Sequence, residues 1–349
     1  MTELKAGDVV EVRGAEEILA TLDERGELEG LPFMPEMLAY CGRRMTVHKV
    51  AHKLCDTISR SGMRRMENAV HLTEARCDGS SHGGCQTACS LYWKDAWLKR
   101  VGSGPANAQP PAGRQSAAEG AQPAAGSAQL AAEDDAGVRK LLPLLEVNTR
   151  KEPDADGEIR YSCQATELLR AAPERVGVKN ISQFVEDVRT GNNTIGESVK
   201  AFLIGGYNRY QDLTRERLPK QFLINKGLRW ALFEGALDGR TPVENLDLKP
   251  GELVRIKSRA EIIKTLNKDL LNRGMGFENE MARHCGKTAR VRARVEKVLD
   301  ERTGRLLTMK TPCIILEGLV CEGAYNFNCP REFVPFWREI WLERVQDAP

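Results

Sequence analysis

No stretch of this chain reaches about 18 consecutive apolar residues, so nothing in it reads as a helix that crosses a bilayer. The opening Met1–Lys5 leads straight into an alternating run, without an apolar segment of export-signal length. Charge of one sign is not in excess either: 51 Lys and Arg stand against 49 Asp and Glu, a net charge of +2. No global field is expected to draw in nucleic acid or an acidic membrane, and a polyanion would have to find a local patch. Histidine is rare, at 5 of 349 residues. There is no Walker loop, no dinucleotide glycine fingerprint, no Gly-x-Ser-x-Gly elbow and no His-Glu-x-x-His pair. The commonest signatures of nucleotide, hydrolase and metalloprotease chemistry are thereby excluded.

Cysteine is what the chain does have, at 10 residues. Without an export signal these read as reduced thiols or ligands, not as a disulfide framework. The expectation is a cytoplasmic protein with no membrane contact.

The sequence also aligns with itself. At one constant offset and without a gap, Leu4–Val101 falls on Leu248–Val345, with about a quarter of positions identical. Glu36, Met37, Cys41 and Gly42 match Glu280, Met281, Cys285 and Gly286; Cys77 and Cys85 match Cys321 and Cys329; Trp93 and Trp97 match Trp337 and Trp341. Two copies of a unit this long imply duplicated domains and not a solenoid. Each unit opens with a short alternating strand (Asp8–Arg13, Glu252–Lys257) and a helix (Glu16–Leu22, Ala260–Leu266). In the second copy, Arg290–Val295 alternates charge with apolar residues, and Asp300–Gly304 reads as a hairpin turn into Leu306–Leu316. The tryptophans at i, i+4 predict a closing aromatic helix with both rings on one face.

Between the copies, residues 102–137 are dominated by Ala, Gly, Pro, Gln and Ser and read as a disordered linker. From about Val138 to Arg240 the pattern is helical, with Ser182 expected to cap Gln183–Arg189 and a break expected near Gly205-Gly206 in Ile195–Leu218. This middle segment is expected to meet a protein partner. The opening Gly7–Val12 resembles that of SH3-like barrels. The expected fold is therefore α+β: two duplicated small SH3-like, partly open β-barrel units with helical insertions, separated by a linker and a helical middle. The boundaries are 1–101, 102–137, 138–245 and 246–349.

The densest chemistry lies in Cys77–Cys89, where Cys77, His82, Cys85 and Cys89 sit among glycines that let the backbone wrap closely. Cys55 could supply a further sulfur. The predicted metal ligands are thus Cys55, Cys77, His82, Cys85 and Cys89, and the predicted cofactor is an iron–sulfur cluster or zinc. The segment Cys77–His82 resembles the CDGSH iron–sulfur motif. In that family three cysteines and the histidine hold a two-iron cluster, the first two cysteines forming a Cys-x-Cys pair just upstream. Here a serine is inserted before the histidine and Arg65–Glu74 contains no cysteine, so the resemblance implies roles for Cys77 and His82 alone.

The remaining positions have plainer readings. Cys163 and His71 are expected in the core. His48 and His52 look like a helical metal pair, but the repeat places them on a strand, about 13 Å apart. A Cys85–His82 nucleophile is conceivable. In the second copy Phe333, Leu299 and Asn326 replace Cys89, Cys55 and His82, and its cysteines are expected to be structural. The function expected is a cysteine-ligated metal or iron–sulfur protein. The alternative is a tandem-barrel module binding nucleic acid or protein through basic rows such as Lys287, Arg290, Arg292, Arg294 and Lys297, whose plainer reading is a solvated strand face.

Overall fold

Alternation builds the first sheet. In the strand Val9–Val12, Val10 and Val12 are fully buried while Val9 and Glu11 are only partly covered, the period-two pattern of a strand with one face on a core. It pairs antiparallel with Arg44–Val50 on one side and Leu98–Gly102 on the other. Ala69–Arg76 and Ser90–Lys94 complete a five-stranded half-barrel. The computed structural model describes residues 3–102, 136–177, 179–215 and 217–345. They divide into two compact units, Met1–Thr194 with Lys297–Leu307, and Ile195–Glu296 with Thr308–Pro349. The linker expected over 102–137 lies almost wholly outside the described residues.

The closing aromatic helix is corrected. Trp93 lies on the strand Ser90–Lys94, and Trp97 ends a 3-10 turn, Asp95–Trp97. Tyr92 and Trp93 are good strand formers and pair with His71 and Val70. Both tryptophans are fully buried all the same. Phe33 meets Trp97 edge-on at 5.1 Å, and the Trp97 Nε1–H donates to Thr21 Oγ1 at 3.1 Å. The same contacts occur in the second sheet, which runs Leu306–Leu316, Thr288–Leu299, Leu253–Ile256, Leu342–Arg344. There Phe277 meets Trp341 edge-on at 5.2 Å, and Trp341 Nε1–H donates to Thr265 Oγ1 at 2.9 Å. The hairpin turn at Asp300–Gly304 forms as expected, with Gly304 N–H bonded to the Asp300 carbonyl at 2.8 Å.

Helices fill the middle. Ala136–Asn148 adds Val138, Leu141 and Leu145 to the first core. Ser182–Arg189 starts one residue earlier than the capping expectation: Ser182 is already helical, and the Asn180 carboxamide oxygen accepts its N–H. Ile195–Arg215 continues through Gly205-Gly206 without a break. Gly205 is needed there for close approach, since a Cβ would lie 2.3 Å from the Phe327 ring. Among the described residues no helix is long and apolar enough to cross a membrane.

A buried ion pair ties the helix Ser182–Arg189 to the strand Lys53–Cys55 within the first unit. Lys53 Nζ lies 2.7 Å from Asp187 Oδ2, and both side chains are essentially sealed from water. Lys53 also donates to the Gln183 carbonyl at 3.3 Å, and His52 Nε2 lies 3.2 Å from Asp187 Oδ1. His52 is therefore occupied away from His48, which sits on the strand Arg44–Val50. Asp187→Ala leaves a buried ammonium uncompensated and should cost about 3–5 kcal/mol, read as a lowered urea midpoint. The double variant Lys53→Met/Asp187→Leu should recover most of that loss.

Candidate metal centre

The site grows from a loop pinned at its base. Cys77 follows the strand Ala69–Arg76, and its N–H donates to the Cys89 carbonyl at 2.9 Å, just before the strand Ser90–Lys94 begins. Inside the loop the Gly79 carbonyl accepts from His82 N–H at 3.2 Å and Gly84 N–H at 3.0 Å. Asp78 Oδ1 accepts from the Ser80 N–H and hydroxyl. Gly79 has φ +75°, and a Cβ on it would stand 1.9 Å from the Cys85 carbonyl oxygen, so only glycine lets the chain fold back this tightly. The turn is thus far better ordered than its glycine content implies.

Against this loop lies the 3-10 helix Pro35–Tyr40, fixed to the core by Met37 and Leu38. It presents Glu36. The Cys77 thiol donates to Glu36 Oε1 at 3.2 Å, and the Ser81 hydroxyl donates to Oε2 at 2.6 Å. His82 Nε2 stands 3.4 Å from Cys77 Sγ, while Nδ1 lies 3.1 Å from Ser81 Oγ and 3.9 Å from Glu36 Oε1. Ligand atoms of Glu36, Cys77 and His82 all lie within 4.8 Å of one another, the one such group of three among the described residues. The side chains of Glu36 and His82 are 4% and 2% exposed. Among the described residues no Lys or Arg pairs with Glu36.

Burial pushes the Cys77 thiol well above its ordinary value, and the neighbouring Glu36 carboxylate pushes the same way. Cys85 behaves oppositely. Burial alone would raise it, but hydrogen bonds from His82, Thr87 and the Leu299 N–H draw its pKa down. Its sulfur accepts that N–H at 3.3 Å, and Thr87 Oγ1 lies at 3.1 Å. For His82, burial opposes protonation, but Cys85, Glu36 and Asp78 hold the pKa above the usual value. Cys163 is buried, as expected, and burial pushes its thiol up to about 12.

Of the five predicted ligands, Cys77 and His82 meet directly, and Cys85 joins them through His82. Cys89 is partly buried beside Cys77, whose N–H its carbonyl accepts. Cys55 lies on a different sheet, on Lys53–Cys55 opposite Met63. Among the described residues no three cysteine sulfurs gather as closely as the Glu36–Cys77–His82 group. The sequence reading missed Glu36 as a member of this group, although its identity with Glu280 was a signal. It also treated Ser81 only as an insertion that breaks the CDGSH spacing; Ser81 is the residue that orients Glu36.

The loop after Cys321, which the sequence alignment sets against this one, has the same backbone bonds. The Gly323 carbonyl accepts from Asn326 N–H at 2.8 Å and Asn328 N–H at 2.9 Å. Phe327 and Asn328 take φ of +54° and +56°, where Gly83 and Gly84 have +75° and +74°. Glu280 is buried there near the partly buried Cys321, whose thiol is pushed up by desolvation. The charges differ. Arg283 lies 3.3 Å from Glu280 and 2.7 Å from Glu322, and Ala39 stands at the aligned position near Glu36.

Compared with protein-family models, with curated proteins and with solved structures, the chain matches none. Fold and site together define a mixed α+β protein whose buried Glu–Cys–His group is compatible with a metal ion.

Proposed function

We propose that the chain carries two copies of one barrel-like unit and that the first holds a structural zinc ion on Glu36, Cys77, His82 and Cys85. The observation that carries this reading is the buried Glu36 carboxylate, which among the described residues meets no Lys or Arg and has only the His82 ring, at 3.9 Å, to balance its charge. Such an arrangement is costly unless that ring stays protonated or a cation arrives. At the matching place in the second copy, where histidine has become Asn326, the cation is built in as Arg283. One copy supplies Arg283 as its positive charge, and the other has Ala39 at that position.

The donor set suits zinc. Thiolate, imidazole and carboxylate are its usual ligands, and atoms bound to a tetrahedral zinc lie about 3.5 Å apart. The sulfur–oxygen and sulfur–nitrogen separations of 3.2 and 3.4 Å come close to that spacing. Soft sulfur with imidazole argues against magnesium or calcium. The low exposure of the group favours a closed, structural site over an open catalytic one. When bound, the ion would supply charge compensation and a crosslink between the 3-10 helix and the loop. Cys77, His82, Glu36 and Cys85 would hold it, Ser81 would orient the carboxylate, and the Leu299 N–H would support the Cys85 sulfur.

One observation favours a second reading. Cys85, with its lowered pKa and its bond to His82, has the features of an activated nucleophile in a well-ordered turn. Alkylation separates the two. In the zinc reading, Cys77 and Cys85 are both protected from iodoacetamide in the chain as purified, and both become reactive after chelation. In the nucleophile reading, Cys85 alone reacts fast, and a chelator changes nothing.

A further inference from the structure

In the second unit a cavity of about 160 Å³ is lined by Asn272, Arg294, Lys310, Arg338 and Glu339, among others. Arg338 is 4% exposed. Its Nη1 donates to the Thr311 carbonyl and lies 3.3 Å from Cys313 Sγ, and its Nη2 donates to the Arg273 carbonyl at 3.1 Å. Its buried Nε has no hydrogen-bond partner. Among the described residues no carboxylate pairs with it. Burial pushes the Cys313 thiol up to about 11, so that sulfur is no counter-ion at neutral pH. The two acids of the lining are engaged elsewhere: Glu339 with Arg294 at 2.8 Å and with the N–H groups of Leu246 and Leu248, and Glu244 with Lys257 at 3.0 Å.

The first unit indicates what is missing. At the constant offset Arg338 corresponds to Lys94, which is equally buried but donates to Glu29 Oε2 at 2.6 Å. Glu29 corresponds to Arg273, and both have left-handed backbones, φ +52° and +49°. The second unit has kept the buried cation and exchanged its acid for another cation. A buried guanidinium without a counter-charge is costly.

We propose that this cavity binds a small oxyanion of the phosphate type, with Arg338 and Lys310 supplying the charge. The volume is well below the roughly 300–1,000 Å³ of sites that enclose a drug-sized ligand, which limits the occupant to a free ion or the phosphoryl end of a small ester. The test is the melting temperature of the full chain titrated with inorganic phosphate and, separately, with phosphoserine, at ionic strength matched with sodium chloride. A saturable rise of about 3–8 °C is expected for one or both, the ordinary consequence of a ligand that binds only the folded state. A rise with phosphate identifies the free ion as sufficient; a rise with phosphoserine alone identifies the ester. Arg273→Glu, a change at an exposed side chain, places an acid where Glu29 stands beside Lys94. It should raise the melting temperature without added anion and abolish the response. The proposal is overturned if neither titrant exceeds the chloride control, or if Arg273→Glu responds as fully as the natural chain.

Discussion

His82→Ala is expected to lower the zinc affinity of the chain by at least about 100-fold, since removing a partner outside the ligand sphere already costs 10–100-fold. The purified variant should carry almost no metal, and its Cys77–Cys89 loop should lose the protection of its thiols. His82→Cys offers another zinc ligand and should recover much of the binding, which a purely structural histidine would not. Isothermal titration of the metal-depleted chain measures both. Its pH dependence has a definite sign. Without metal, burial and Glu36 keep Cys77 protonated at neutral pH, and His82 holds its proton to a higher pH than usual. Zinc needs the thiolate and the neutral ring, so binding releases protons. Affinity should fall as pH falls, about tenfold per unit for each proton that must leave. The slope should steepen once His82 is protonated as well.

The second large effect is a gain. If the second copy differs from the first chiefly because Arg283 occupies the place of the cation, then Arg283→Ala with Asn326→His should create a second site on Glu280, Cys321, the new imidazole and Cys329. Bound zinc should rise from one to two per chain. The loop is already shaped for it, because Asn326 and Asn328 make the same backbone bonds to Gly323 that His82 and Gly84 make to Gly79. The reverse exchange, Ala39→Arg with His82→Asn, should give a first copy that is metal-free yet folded, with the arginine replacing the ion. An unchanged zinc count in the gain variant would mean that charge compensation is not what separates the two copies.

How much of this was legible in the sequence depends on which interactions are local. The strand Val9–Val12 and the Asp300–Gly304 turn were readable because alternation and turn chemistry act within a few residues. The tryptophan pair was misread as helical because i, i+4 spacing also fits a strand that ends in a 3-10 turn, and only pairing with Ala69–Arg76 decides between them. Helix Ile195–Arg215 keeps its two glycines because Phe327, far along the chain, packs on Gly205. In the site, Cys77, His82 and Cys85 were visible as a cluster of reactive types in one short segment. Glu36 was not, because it reaches the loop from a separate 3-10 helix across 41 residues of chain. Cys55 was proposed as a further sulfur, but its strand pairs into another sheet.

The central claim is that the first copy holds one zinc ion, and the most direct test is the metal content of the full chain purified anaerobically, with its visible spectrum taken on the same sample. The account predicts one zinc per chain and no colour. Iron with acid-labile sulfide and a brown chromophore would contradict it in favour of a cluster, and a chain without stoichiometric metal would leave Glu36 buried beside Cys77 for some other reason.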